Sequence, residues 1–238
     1  MGVGGRLTAG EGGAVTTRDP EIYRTVFALK QVGWAPANVR KNAFEPLEPA
    51  NRYGHNYRMT EMQAVLLRGG LKRLAAETAL REQRAAQFCE GLEAIGGPLR
   101  VARRDPRVTR QAYYGLTCFY DPAQAGGVSK QAFAHALAAE GCPMGNPYWP
   151  VYRSPLLNLY DRTSPIPFRD SKKIQDYRHL RLPHTERCFE KTALILGHVH
   201  LLGSQTYIRQ LLDAVRKVTD HGPEVQKAWE RHQKRMRR

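Results

Sequence analysis

Long apolar runs are missing from this sequence. The longest, such as "TALIL" from Thr192 to Leu196, fall far short of the ~20 residues that a helix needs to cross a bilayer, so no membrane span is expected. The opening stretch "MGVGGRLTAG" carries one Arg and no apolar core, so no secretory leader is expected there. Cysteine is sparse: Cys89, Cys118, Cys142 and Cys188 stand far apart with no C-x-x-C pair. That spacing points to neither a zinc site nor a disulfide framework. Free or buried thiols in a cytoplasmic protein are the expectation. Acid is short against base, with 22 Asp and Glu against 37 Lys and Arg, a net charge of +15. Such an excess raises nucleic acid as a partner. No interleaving of aromatic and basic residues, helix-turn-helix spacing or paired Cys/His pattern accompanies it. The closing "KAWERHQKRMRR" carries a visible share of the excess. A basic tail and an arginine-favouring genome account for the charge, and specific nucleic-acid recognition is not expected. Any duplex binding through this excess would be salt-sensitive, and its loss on deleting the tail after Pro223 would confine it to that segment.

What is present is a chain of 238 residues, 42% of them apolar. That is enough for one or two domains with a real core. Near the start, "GEGGAVTTRD" (Gly10–Asp19) surrounds Glu11 with glycines and runs on like a strand. Asp19 is placed to cap a helix, with Pro20 at its first position and Ile22, Val26 and Leu29 on one face; Gly33 stops it. The segment from Trp34 to Asn56 is polar, carries three prolines and reads as a long loop. Thr60 and Gln63 have capping-box spacing. They open the longest predicted helix, where Met62, Leu66, Leu74, Phe88, Leu92 and Ile95 form a drifting apolar stripe that Gly96-Gly97-Pro98 ends. Gly69-Gly70 inside it predicts a kink.

A second unit follows. "QAYYGLTCFYD" (Gln111–Asp121) alternates as a strand does. Ser129 caps a helix with Phe133 and Leu137 on its buried face and His135 pointing to solvent; Gly141 closes it. Cys142 to Phe168 is irregular. "TALILG" reads as a short buried strand or turn. Ser204 caps a last helix with Ile208, Leu211, Leu212, Val215 and Val218 at helical spacing, ended by Gly222-Pro223. The order strand, helix, loop, strand, helix predicts a small α/β sandwich. The tail after Pro223 is expected as a solvated helix or a disordered end. His198 and His200 stand at strand spacing for a metal pair. No third ligand lies near in sequence, so no metal site is expected.

Two stretches together carry a resemblance: "LTAGEGGAVTTRDPEIY" and "GHNYRMTEMQAVLL". With the later "YWPVYRSPL" and "LPHTERCFEKTALILGHVHLLGSQTYIRQLLDAVRKV", the chain closely resembles the DegT/DnrJ/StrS family of pyridoxal-phosphate aminotransferases, as far as Val218. The resemblance implies the α/β C-terminal portion of a fold-type I aminotransferase. Residues 1–50 would be a remnant of the large cofactor-binding domain and 51–97 a loop and long interdomain helix. Residues 98–222 would form the small α/β domain and 223–238 a basic tail. It implies pyridoxal phosphate as cofactor. It implies amino transfer from an amino acid, often glutamate or glutamine, to a keto sugar or keto cyclitol, and a shared, dimeric site.

The same resemblance implies a gap. The family's Schiff-base lysine stands five residues before the first Gly of GEGG, and here that position is Gly5. Arg6 beside it stays protonated at any usable pH and offers no free amine. Lys30 is far along the chain, on a helix. The family's partner for the pyridine nitrogen and its stacking ring match no residue here. No catalytic residue is therefore assigned. Glu11 is expected to accept hydrogen bonds from turn amides, a structural role. Asn56 of "NYRM" is the cofactor-binding candidate, since in the family this amide reaches the phosphate held by the neighbouring subunit. The plainer alternative is a loop Asn capping the turn before the helix. Tyr57 and Arg58 would orient that loop, or Arg58 is a plain surface cation. The resulting expectation is a family member inactive by itself. The alternatives are a non-catalytic partner lending Asn56 to a full-length homologue, or a gene fragment or mis-set start. The first segment would expose apolar surface and strand edges, favouring self-association or a partner.

Overall fold

The computed structural model describes residues 7–157 and 177–236. Gly5 and Arg6 lie outside these residues, as does the part of the expected irregular segment between 158 and 168. The chain divides into two units, Met1–Ala76 and Glu77–Arg238, with the division inside one helix. Helix α1 spans Pro20–Lys30 in the first unit. The Asp19 carboxylate caps it, accepting from the backbone N–H of Glu21 at 2.8 Å and of Ile22 at 3.3 Å. The following loop contains one short antiparallel pair, β1 (Trp34–Ala35) and β2 (Glu48–Pro49), with Ala35 opposite Glu48. Helix α2 runs Glu61–Ile95. The predicted capping box is formed: Thr60 N–H donates to Gln63 Oε1 at 3.0 Å, and Gln63 N–H donates to Thr60 Oγ1 at 3.3 Å. The helix is unbroken at Gly69-Gly70.

The predicted stripe along α2 splits in two. Phe88 and Leu92 are 0% and 2% exposed, whereas Met62 and Leu66 are 81% and 61% exposed. Only Ala9, Ala28, Ala35 and Leu67 are buried apolar residues among the described part of the first unit. Ile22 and Leu29, predicted on one face of α1 with Val26, are exposed. Periodicity identifies a face, and among the described residues of the unit nothing covers it.

The second unit has a core of its own. Strands β3 (Leu99–Val101), β4 (Gly115–Tyr120), β5 (Met144–Gly145) and β6 (Ala193–Gly197) form one antiparallel sheet in the order β3-β4-β6-β5. Leu116, Cys118 and Tyr120 alternate inward on β4 as expected, with Leu116 opposite Leu196 and Cys118 opposite Leu194. Strand β4 starts later than predicted because Tyr113 adopts a left-handed φ of 49°, which no strand accommodates. Helices α3 (Lys130–Ala139) and α5 (Gln205–Asp220) join the second half of α2 in one cluster around Phe88, Phe133, Leu194 and Leu211. Ser129 and Ser204 cap the two helices through the backbone N–H of Ala132 and Tyr207. A short helix, α4 (Pro183–Arg187), leads through a π-turn (Cys188–Thr192) into β6.

The tail is a helix, α6 (Gly222–Met236), and it is not simply solvated: Val225 and Trp229 pack against the core. His135 is exposed as predicted but does not stand alone. Its ring lies 5.2 Å from Trp229 and 4.6 Å from His232, because α6 lies beside α3. All four cysteines are free, and burial pushes the Cys142 thiol up to about 12, so this residue is packing rather than chemistry.

Lys130 is the unusual member of this core. It is 2% exposed, and its ammonium donates to the carbonyls of Phe189 and, at 3.3 Å, of Ala193, closing the π-turn. Burial holds its pKa below the ordinary lysine value. The unfolded chain then keeps a proton that the folded chain releases, so stability rises as pH climbs from the folded value towards about 10.4. Lys130→Met keeps the stem and removes both hydrogen bonds. It is expected to cost about 1–3 kcal/mol at pH 7 and to flatten the alkaline rise. Urea melts of both proteins between pH 7 and 10 measure this directly.

Candidate active site

The first unit places its chemistry around one cleft of about 750 Å³. One wall is the glycine turn. Gly10 sits at φ 80° and Gly12 at φ 145°, conformations that a Cβ disfavours. The Gln63 side-chain amide donates to the carbonyls of Ala9 and Glu11, both at 3.1 Å, and so pins the turn to the first turn of α2. The expected role of Glu11 is corrected here. Its main-chain oxygen is the group that is bound, and among the described residues no turn amide bonds its carboxylate.

The opposite wall is α1. Tyr23, Phe27 and Lys30 lie at i, i+4 and i+7, hence on one face. The rings of Tyr23 and Phe27 are 5.8 Å apart. Lys30 Nζ lies 4.1 Å above the centre of the Phe27 ring, and the guanidinium of Arg40 lies 5.8 Å from that centre. The third wall is the "NYRM" loop, stitched to the end of α1. His55 N–H donates to Leu29 O at 2.8 Å and Tyr57 N–H to Lys30 O at 3.0 Å, while Asn56 bridges to Gln31. This approach demands glycine: a Cβ on Gly54 would stand 2.3 Å from Ala28 O, and one on Gly33 2.5 Å from Arg52 O. The loop thereby brings Tyr57 and Arg58 to the cleft.

Of the residues singled out in the sequence, Asn56 is exposed and lies beside the cleft rather than in its lining. Its Oδ1 accepts from Arg58 N–H at 3.3 Å, which leaves the amide NH2 as the outward donor. Arg58 is exposed and is among the residues that line the cleft. Lys30, distant in sequence from the glycine turn, shares the cleft with it. Burial first, then the charges of Arg58 and Arg40, hold the Lys30 ammonium below the ordinary lysine range. The Tyr-x3-Phe-x2-Lys spacing puts Lys30 on one face of α1 with Tyr23 and Phe27, but nothing in the sequence announces its nearness to the glycine turn. In the second unit, "YWPVYRSPL" forms two short 3-10 turns, Val151–Arg153 and Pro155–Leu157. Arg153 is tied there to Glu186 at 3.2 Å and Glu190 at 3.1 Å. The bonds from Tyr152 and Arg153 keep the Glu186 carboxyl below its usual range. His200 is engaged with the Tyr207 hydroxyl at 2.7 Å. Among the described residues no three His, Cys, Asp or Glu side chains converge as a metal cage.

The fold is that of the α/β pyridoxal-phosphate aminotransferases. A solved aminotransferase from Psychrobacter cryohalolentis superposes with a TM-score of 0.60 at 27% identity, covering 85% of this chain and 50% of that one. The chain belongs to the DegT/DnrJ/EryC1/StrS aminotransferase family, which it matches over residues 5–196. A Micromonospora echinospora protein assigned as L-glutamine:3-amino-2,3-dideoxy-scyllo-inosose aminotransferase is 34% identical over 90% of this chain and 50% of its own length. The L-glutamine:2-deoxy-scyllo-inosose aminotransferase of Streptomyces lividus is 32% identical over 92% of this chain and 52% of its own length. The chain thus spans about half the length of the curated relatives it matches. Among the described residues no helix is long and apolar enough to cross a membrane.

Proposed function

We propose that this chain corresponds to the C-terminal part of a cytoplasmic pyridoxal-phosphate aminotransferase that aminates a keto cyclitol or keto sugar, with an amino acid such as glutamine as donor. The kinship with aminocyclitol aminotransferases across nine-tenths of the chain carries this reading. Within it, residues 1–50 end the large domain and 51–97 form the loop and interdomain helix. Residues 98–222 are the small domain and 223–238 the basic tail.

When bound, the cofactor supplies an electron sink for the carbon that bears the nitrogen. The residues present fit its phosphate end: Asn56 is exposed, and its NH2 is free of the contact that fixes its oxygen. They do not fit its aldehyde end, because Gly5 holds no amine where the family has its lysine. No chemical step is therefore derived through the cofactor, and the chain alone is inactive in this reading. A second reading has support in the uncovered apolar face of the first unit: the chain works as a partner, with a full-length homologue or a second copy covering Val15, Met62 and Leu66 and receiving Asn56.

The test pairs the chain with a polypeptide covering the first half of the Streptomyces lividus relative, extended through the family's lysine position that Gly5 occupies here. Transfer from L-glutamine to 2-deoxy-scyllo-inosose is followed by mass spectrometry of the amine product. Product from the mixture and none from either part is expected. A silent mixture, under conditions where the full-length relative turns over, counts against the assignment.

A further inference from the structure

Several arginines of the second unit are matched to carboxylates: Arg104 to Glu82, Arg107 to Asp105, and Arg153 to both Glu186 and Glu190. Arg100 on β3 and Arg187 at the end of α4 are not. Together with His184 they line one pocket of about 380 Å³, and among the described residues none of these three side chains has a hydrogen bond or an ion pair. The acids nearest them in sequence, Glu186 and Glu190, are held by Arg153. Asp121 also lines the pocket, but both its oxygens serve its own loop: they accept from Ala123 N–H at 3.1 Å and from the Gln124 side-chain amide at 3.0 Å. The pocket therefore gathers three basic groups and leaves them without a counter-ion.

The surroundings are held in place. Arg100 stands opposite Phe119 in the β3–β4 ladder, so an aromatic side chain lies beside the guanidinium. Cys188 and Thr192, the two ends of the π-turn, also line the pocket. Such turns are rare and recur at functional sites. This one is fixed by the buried Lys130, which donates to the carbonyls of Phe189 and Ala193, and by the Gln131 side-chain amide, which donates to the Glu190 carbonyl at 3.2 Å. Two guanidiniums and an imidazole, presented from a strand and from a helix, suit the several acceptor oxygens of a tetrahedral dianion. We propose that this pocket binds a phosphate dianion, free or as the end group of a small phosphomonoester, with Arg100 and Arg187 as its charge partners and His184 as a third donor. The site lies wholly within the second unit, and none of its residues is one to which the family resemblance assigns a cofactor role. It stands whether or not the chain takes part in amino transfer.

The test uses the whole chain in about 0.15 M salt, which screens the general attraction of a chain of net charge +15 for anions. Alkylation of Cys188 by iodoacetamide is followed by peptide mass spectrometry, with the half-buried Cys89, outside the pocket, as internal control. A dianion bound beside Cys188 covers the thiol and disfavours its thiolate. Inorganic phosphate is expected to slow labelling of Cys188 severalfold and to leave Cys89 unchanged. Arg100→Gln and Arg187→Gln are each expected to raise the half-protecting concentration by about tenfold, the effect of losing one charge-assisted hydrogen bond. Both side chains are exposed, so the fold is retained. Arg216→Gln, at a cation that pairs with Asp213 instead, is expected to leave that concentration unchanged. Phenyl phosphate separates the two sources: protection at lower concentration than phosphate supports a phosphomonoester with its organic part against Phe119, and equal protection supports the free ion. No protection of Cys188, equal slowing at Cys89, unchanged protection in both arginine variants, or protection by malonate as strong as by phosphate overturns the site. Amino transfer is not read in any arm, so failure here is distinct from failure of the proposed function.

Discussion

Phe88→Ala is expected to destabilise the second unit by about 3–5 kcal/mol, while Leu66→Ala, one stripe and six turns earlier on the same helix, moves stability by no more than about 0.5 kcal/mol. Phe88 is fully buried among Leu92, Phe133 and Leu211, so truncation removes its transfer energy and leaves a cavity. Leu66 is mostly in water already, and shortening it removes little that folding gained. Thermal and urea melts of the two variants beside the parent protein make the comparison. Similar losses for both would mean that the first half of α2 is covered in solution, by a second copy or by a partner. Repeating the Leu66→Ala melt over a range of protein concentration separates a self-covered face from a bare one.

Gly54→Ala is the second large effect. The added methyl has no flexible neighbour to push aside: it meets the Ala28 carbonyl oxygen at 2.3 Å and the Gly33 nitrogen at 2.6 Å. Relief requires the loop to leave α1, and overpacking of this kind costs about 1–3 kcal/mol or more. Among its described residues the first unit has Ala9, Ala28, Ala35 and Leu67 buried to set against that cost. Breakage of the His55–Leu29 and Tyr57–Lys30 hydrogen bonds is therefore expected, read as faster amide exchange at His55 and Tyr57 with exchange in β4 and β6 unchanged. Protection retained at both amides would show that the loop tolerates the methyl and is not held by this contact.

These two variants also mark what a sequence conveys and what it does not. The Asp19-Pro20 start, the Thr60–Gln63 capping box, the alternation in β4 and the stripe of α5 are local, and each is realised where the residues predict it. The stripe of α2 has the same periodicity at Leu66 as at Phe88, yet opposite exposure, because periodicity does not name what packs against a face. His135 has company for a similar reason: α6 lies beside it, and nothing near His135 in sequence announces that. The candidate site was half legible. The glycine turn and the "NYRM" loop declared themselves as motifs. Lys30 did not, because its nearness to both depends on a chain reversal at Gly33 and a close approach at Gly54. Glu11 misled in the other direction, since a carboxylate among glycines suggested an acceptor where the main chain is used instead.

The family relationship and the missing amine meet in a single assay. Purified chain, saturated with pyridoxal phosphate and supplied with L-glutamine and 2-deoxy-scyllo-inosose but no other protein, is expected to form no more amino product than the free cofactor does. Repeated turnover under those conditions, at a rate well above that background, would contradict it, because catalysis would then proceed with glycine at the position where the resemblance implies a lysine.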